Sequence, residues 1–85
     1  MTASEHRIKR AIYRANYRGT KELDILLGRF ANAEAGGLSD PAFDAFEALL
    51  ALPDPQIDLW IKGEPSPPGV AGIIARIRQF HGFES

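Results

Sequence analysis

The sequence predicts an all-α protein, a compact bundle of about five short helices. Three observations predict it. The apolar residues recur at helical spacing, and no stretch alternates at the two-residue period of a strand. Capping residues and prolines stand ahead of the stripes and glycines behind them, marking starts and stops. The connections are short, and 85 residues make a single domain spanning 1–85.

Ser4 is the expected start of the first helix, since its hydroxyl can accept from the free amides of the first turn. Ile8, Ala11, Ile12 and Ala15 define its buried stripe, with Arg7, Lys9, Arg10 and Arg14 mostly on the other faces. The helix is expected to end near Arg18, with Gly19 as a left-handed stop. Thr20 is the candidate N-cap of the second helix, and Glu22 lies in its first turn, where the helix dipole favours negative charge. Leu23, Leu26, Leu27 and Phe30 form the apolar face. Ile25 falls off it, which implies burial on more than one side. The pattern fades from Asn32 and stops at Gly36-Gly37.

Ser39 is the expected cap of the third helix. Leu38 and Phe43 then occupy the two staple positions, and Pro41 lies in the first turn, where its missing amide costs nothing. Phe43, Phe46, Leu49 and Leu50 face inward, and the helix ends before Pro53. Asp54-Pro55 repeats the start signal as a capping carboxylate with proline at the first helical position. Ile57, Trp60 and Ile61 form the stripe, with Trp60 a core residue by its phase, and Gly63 closes the helix. Glu64-Pro65-Ser66-Pro67-Pro68 is a stiff linker in which Ser66 is the candidate cap of the last helix. That helix carries Val70, Ile73, Ile74, Ile77 and Phe80 inward, with Arg76 and Arg78 on the solvent side. Gly82 ends it, and Phe83-Glu84-Ser85 is expected to fray.

Composition narrows the function classes. With 45% hydrophobic and 25% charged residues the chain is globular. Having no cysteine, it has no disulfide, thiolate metal site or cysteine nucleophile. No apolar run reaches the length of a membrane span. The N-terminus has no apolar signal region, so the expected location is a bacterial cytoplasm, or the mitochondrial matrix for a processed eukaryotic form. His6 and His81 match no metal-binding spacing, and Ser4, Ser39 and Ser66 are better used as caps than as nucleophiles. Gly36-Gly37 and Gly69-Val70-Ala71-Gly72 lack the strand-then-helix setting of a phosphate loop. No self-contained catalytic or cofactor site is legible.

Net charge is −1, yet its distribution is lopsided. Arg7, Lys9, Arg10, Arg14, Arg18 and Lys21 crowd the first quarter of the chain against Glu5, and residues 22–64 are predominantly acidic. Such polarity either steers a partner or places a basic helix beside acidic neighbours within the fold. A nucleic-acid or anionic-surface module built on the basic helix needs a denser basic face than a chain of pI about 6.1 offers. A generic helical adaptor is the remaining alternative.

The stretch joining the first two helices, Tyr17-Arg18-Gly19-Thr20-Lys21-Glu22-Leu23-Asp24, resembles the Arg-Gly-x-x-Glu signature of the flavinator of succinate dehydrogenase, the SdhE family, also called succinate dehydrogenase assembly factor 2. The resemblance continues through Leu23-Asp24-Ile25-Leu26-Leu27, Leu38-Ser39-Asp40 and Pro53-Asp54-Pro55 to Trp60-Ile61. Tyr17 and Thr20 depart from the arginine and methionine that members of the family often carry there. The resemblance implies a five-helix, non-catalytic assembly factor. Its partner is the flavoprotein subunit of succinate dehydrogenase, or in some bacteria of fumarate reductase, and FAD becomes attached to a histidine of that partner rather than being held by this chain. The implied partner-binding residues are Arg18, Gly19 and Glu22, with Tyr17 and Asp24 beside them. Arg18 would offer a planar bidentate donor, Gly19 would let a partner backbone approach, and Glu22 would accept from an amide or cation. Arg18→Ala and Glu22→Ala are then expected to leave folding nearly unchanged. A plainer alternative has Arg18 and Glu22 pairing with each other and Gly19 as a simple helix stop.

Overall fold

In the computed structural model, which describes residues 4–83, Ser4 caps the first helix: its hydroxyl accepts from the Arg7 amide at 3.3 Å. The helices are α1 (Glu5–Asn16), α2 (Lys21–Glu34), α3 (Asp40–Leu50), α4 (Asp54–Ile61) and α5 (Pro68–Phe80), with a 3-10 turn over Ala35–Gly37. No strand occurs among the described residues. Ser39 caps α3 as its sequence predicts, accepting from the Ala42 amide at 3.3 Å. Gly63 and Gly82 follow α4 and α5 with φ of +117° and +76°, the left-handed turn that glycine adopts without steric penalty.

Three boundaries differ from the sequence reading. α1 ends at Asn16 rather than near Arg18, because Tyr17 leaves the helical region (φ −131°, ψ 59°) and the Arg18 amide donates to the Asp24 carboxylate instead of an α1 carbonyl. Asp54 is the first residue of α4 rather than its cap, and its carboxylate is taken by Arg18 and Thr20. Pro67, not Ser66, precedes α5, which opens on Pro68 without a side-chain cap. The fraying expected at the C-terminus concerns Glu84 and Ser85, which lie outside the described residues. Phe83 is described, and its ring stacks 5.7 Å from that of His81.

One core joins all five helices. Ala11 and Ala15 come from α1, Leu23, Leu27 and Phe30 from α2, Phe43 and Phe46 from α3, Ile57 and Ile61 from α4, and Ile73, Ile74 and Ile77 from α5. Phe30 sits at the middle, edge-on to Phe46 (5.4 Å) and Phe80 (5.6 Å). Trp60 packs against this core from its margin and stays half-buried. Two apolar residues are placed otherwise than expected. Ile25 is exposed, since α2 buries only one face, and Phe80 keeps one side in solvent while its ring covers Phe30.

The outer shell ties the helices by charge. Arg7 pairs with Asp44 (3.1 Å) and Glu47 of α3 and lies 5.0 Å above the Phe43 ring. Arg76 pairs with Glu34 at 3.0 Å, the Arg78 guanidinium donates to the Ile61 carbonyl, and His81 Nε2 donates to the Leu26 carbonyl at 2.7 Å. The basic first helix thus does lie partly beside acidic neighbours.

The α1–α2 contact depends on Gly28, which is buried. A Cβ there would collide with Asn16 Oδ1 and lie 3.0 Å from its Cγ. That amide is already held, donating to the Ile12 carbonyl at 2.7 Å and to Asn32 Oδ1 at 3.3 Å. Gly28→Leu is expected to force the helices apart and destabilise the fold by about 2 kcal/mol, the usual penalty of overpacking, measured by urea unfolding. An unchanged midpoint would mean that the contact is loose.

Candidate functional site

The corner between α1 and α2 is held from below. The Arg18 amide donates to Asp24 Oδ1 at 2.5 Å, closing a loop over the bend. Gly19 then turns the chain with φ +100°, a backbone that side chains rarely tolerate. Thr20 stands in the N-cap position of α2, but its hydroxyl does not cap; it donates to Asp54 Oδ2 at 3.0 Å.

Arg18 fixes the corner to the rest of the molecule. Its Nε lies 2.9 Å and its Nη2 2.7 Å from Asp54 Oδ1. Nη2 also donates to the Leu52 carbonyl at 2.7 Å, and Nη1 donates to the Leu50 carbonyl. Those carbonyls lie at the C-terminal end of α3, where helix acceptors lack intrahelical donors and the dipole favours a cation. Asp54 opens α4, where the dipole favours an anion. One guanidinium therefore satisfies the end of α3 and pairs with the start of α4. The side chains of Arg18 and Asp54 are only 10% and 19% exposed, so this charge pair is largely withdrawn from water.

What the corner presents outward is different. Tyr17 is 70% exposed, and Gly19, Lys21 and Glu22 are exposed as well. Its chain neighbours aside, no atom of the described residues lies within 4 Å of where a Gly19 side chain would begin. Just past α4, the Lys62 ammonium has its pKa raised chiefly by its hydrogen bond to Asp58 (2.9 Å), and the negative charge of Glu22 adds a weaker pull.

The implied site residues thus divide. Tyr17, Gly19 and Glu22 share an open surface. The free guanidinium expected of Arg18 is not offered to a visitor, because its nitrogens are directed at Asp54, Leu50 and Leu52. It does not pair with Glu22 either; its partners are Asp54 and the Leu50 and Leu52 carbonyls at the end of α3. Asp24 is half-buried and holds the Arg18 amide. Asp54 is the residue that sequence reasoning missed as part of the corner. Its one signal, a carboxylate ahead of a proline at a helix start, reads as a local cap and not as a distant partner for Arg18.

Elsewhere a concavity of about 660 Å³ lies between the α4–α5 linker and α5, lined by Trp60, Pro65, Ile74 and Phe83 among others. It shares no residue with the corner. Among the described residues no helix is long and apolar enough to cross a membrane, and no group of three or more His, Cys, Asp or Glu side chains could hold a metal ion.

Comparison with known proteins bears on most of the chain. The family profile described as flavinator of succinate dehydrogenase matches residues 9–81. The chain is 40% identical over 57 residues to the FAD assembly factor SdhE of Acetobacter pasteurianus, an alignment covering 67% of this chain and 52% of that protein. It is 45% identical over 58 residues to the mitochondrial succinate dehydrogenase assembly factor 2 of Mycosarcoma maydis, covering 68% of this chain and 24% of the relative. For the assembly factor of the same name in Meyerozyma guilliermondii the identity is 41% over 51 residues, covering 60% and 38%. The chain therefore spans about half the length of the first of these relatives and less of the others. No solved structure matches it significantly.

Proposed function

The chain belongs to the flavinator of succinate dehydrogenase family, and from that premise we propose that it binds the flavoprotein subunit of succinate dehydrogenase and promotes covalent attachment of FAD to that subunit. The flavoprotein of a fumarate reductase is a second client of the same kind. FAD in this reading belongs to the partner, and the partner's own groups form the bond. This chain acts by position: seated on the flavoprotein, it holds the histidine and the flavin in a reactive pose and so lowers the entropic part of the barrier.

The observation that carries the reading is the contrast within one corner. Its base is immobilised by Arg18 on Asp54 and the α3 carbonyls, while its crest, Tyr17, Gly19 and Glu22, stands open. A contact surface fixed before binding loses little conformational entropy when it docks. Gly19 allows close approach of a partner backbone, and Glu22 is the exposed acceptor one helical turn beyond Arg18. Arg18, Asp54 and Asp24 are positioning residues that shape the crest without touching the client.

Glu22 separates docking from folding. Glu22→Ala is expected to leave stability within about 0.5 kcal/mol, as for other exposed sites, while covalent flavin on the partner falls about tenfold, the loss that goes with a contact worth about 1.4 kcal/mol. In-gel fluorescence of the denatured flavoprotein band reads the second quantity, and urea unfolding reads the first. Undiminished fluorescence would remove Glu22 from the docking surface.

A further inference from the structure

The cations of α1 have unequal fates. Arg7 is neutralised by Asp44 and Glu47, Lys9 by Glu5 (3.4 Å), and Arg18 beyond the helix by Asp54. Arg10 and Arg14 make no ion pair among the described residues. Arg10, Tyr13 and Arg14 fall at positions i, i+3 and i+4 and share one face of α1, and Tyr17, just past the helix end, continues that face with its ring against Tyr13. That face lies opposite Ala11 and Ala15, which are buried against the rest of the bundle. Tyr13 is 65% and Tyr17 70% exposed, and their rings lie against each other at 4.6 Å and 37°.

Two large rings held together in water are not needed by the core, which closes without them. Aromatic and arginine side chains are the types concentrated where interfaces gain most of their energy. The stripe is continuous with the open corner through Tyr17. We propose that the Arg10–Tyr13–Arg14–Tyr17 face of α1 extends the corner's docking surface and receives a carboxylate-bearing stretch of the flavoprotein client. The inference rests on the proposed flavinylation role and adds the chemistry of the client's matching surface.

Charge complementarity selects that occupant. The chain's own acids are largely engaged: Glu34, Asp44, Glu47, Asp54 and Asp58 each hold a cation of the same molecule, and Asp24 an amide. A second copy of the chain therefore has few carboxylates to offer. Two unpaired guanidiniums on one helix face are too few to track a phosphate backbone, whose binding grows with the number of charges neutralised. They suffice to clamp one or two carboxylates bidentately while the rings cover apolar surface between them.

The test measures affinity of the purified chain for the isolated, FAD-free flavoprotein subunit of succinate dehydrogenase, by titration calorimetry at low and physiological salt. Tyr13→Ala and the double variant Arg10→Glu/Arg14→Glu are compared with wild type after thermal melts confirm that each is folded. The expected result is tight wild-type binding that weakens with salt, about tenfold loss for Tyr13→Ala, and a larger loss with a flattened salt dependence for the charge reversal. Wild-type binding matched by both variants would overturn this inference and leave the flavinylation role standing. No wild-type binding at all would overturn both. Wild-type self-association that the charge reversal abolishes, or a retarded single-stranded oligonucleotide that it releases, would assign the face to those occupants and overturn the proposal.

Discussion

Arg18→Ala is expected to lower the free energy of unfolding by about 3–5 kcal/mol, the range found when one member of a buried ion pair is removed. The change leaves the Asp54 carboxylate, 19% exposed, with no cation and only the Thr20 hydroxyl as donor, and it deprives the Leu50 and Leu52 carbonyls of the guanidinium. Sequence reasoning alone predicts almost no effect, because a charged residue at a helix corner reads as a surface group. The reversal comes from geometry: the side chain points into the α3–α4 junction. Urea unfolding of Arg18→Ala, Asp54→Ala and the double variant tests it. Each single change is expected to be severe, and the double variant is expected to lose clearly less than their sum, since no charge is left unpaired. A loss below about 0.5 kcal/mol for Arg18→Ala, typical of surface positions, would show that the guanidinium does not bear on the fold. Reduced flavinylation by an Arg18 variant is accordingly to be read only at temperatures where that variant is folded. Glu22→Ala carries no such restriction.

Phe30→Ala is expected to have an effect of similar size, about 3–5 kcal/mol, through a different mechanism. Phe30 is fully buried and makes edge contacts with Phe46 of α3 and Phe80 of α5, so its ring joins three helices. Truncation removes buried apolar area and leaves a cavity that the surrounding helices cannot wholly close. For a domain of this size each kcal/mol shifts the midpoint of thermal unfolding by roughly 4–8 °C, so the variant should melt well below wild type. Phe80→Ala supplies the control. That ring is 41% exposed and covers Phe30 on one side only, so its loss should be clearly the smaller. Equal losses at the two positions would mean that the core is centred elsewhere.

The two variants also separate what could be read in advance from what could not. Phe30 was legible as core because helical spacing with Leu23 and Leu27 puts it on one face whatever the neighbouring helices do. The Ser4 and Ser39 caps and the glycine stops at Gly63 and Gly82 were legible for the same reason, each being decided within a few residues of itself. Ile25 misled because period alone cannot say how many faces of a helix are covered. Gly28 gave no warning: a glycine inside a helical stripe looks like a mild weakness until another helix is seen against it.

The linear order of residues determined an all-helical chain, the Ser4 and Ser39 caps, the glycine stops at Gly63 and Gly82, the bulk of the core and the family signature at the α1–α2 corner, because each depends on contacts a turn or two apart. Only the folded chain decided how that corner is built. Arg18 and Asp54 are 36 positions apart, and nothing local to either announces the other. A long flexible side chain at a helix end can turn outward or inward at similar local energy. Here the unsatisfied carbonyls of α3 and the first carboxylate of α4 draw it in, and that leaves Gly19 and Glu22 as the part of the signature that faces outward, with Tyr17 beside them.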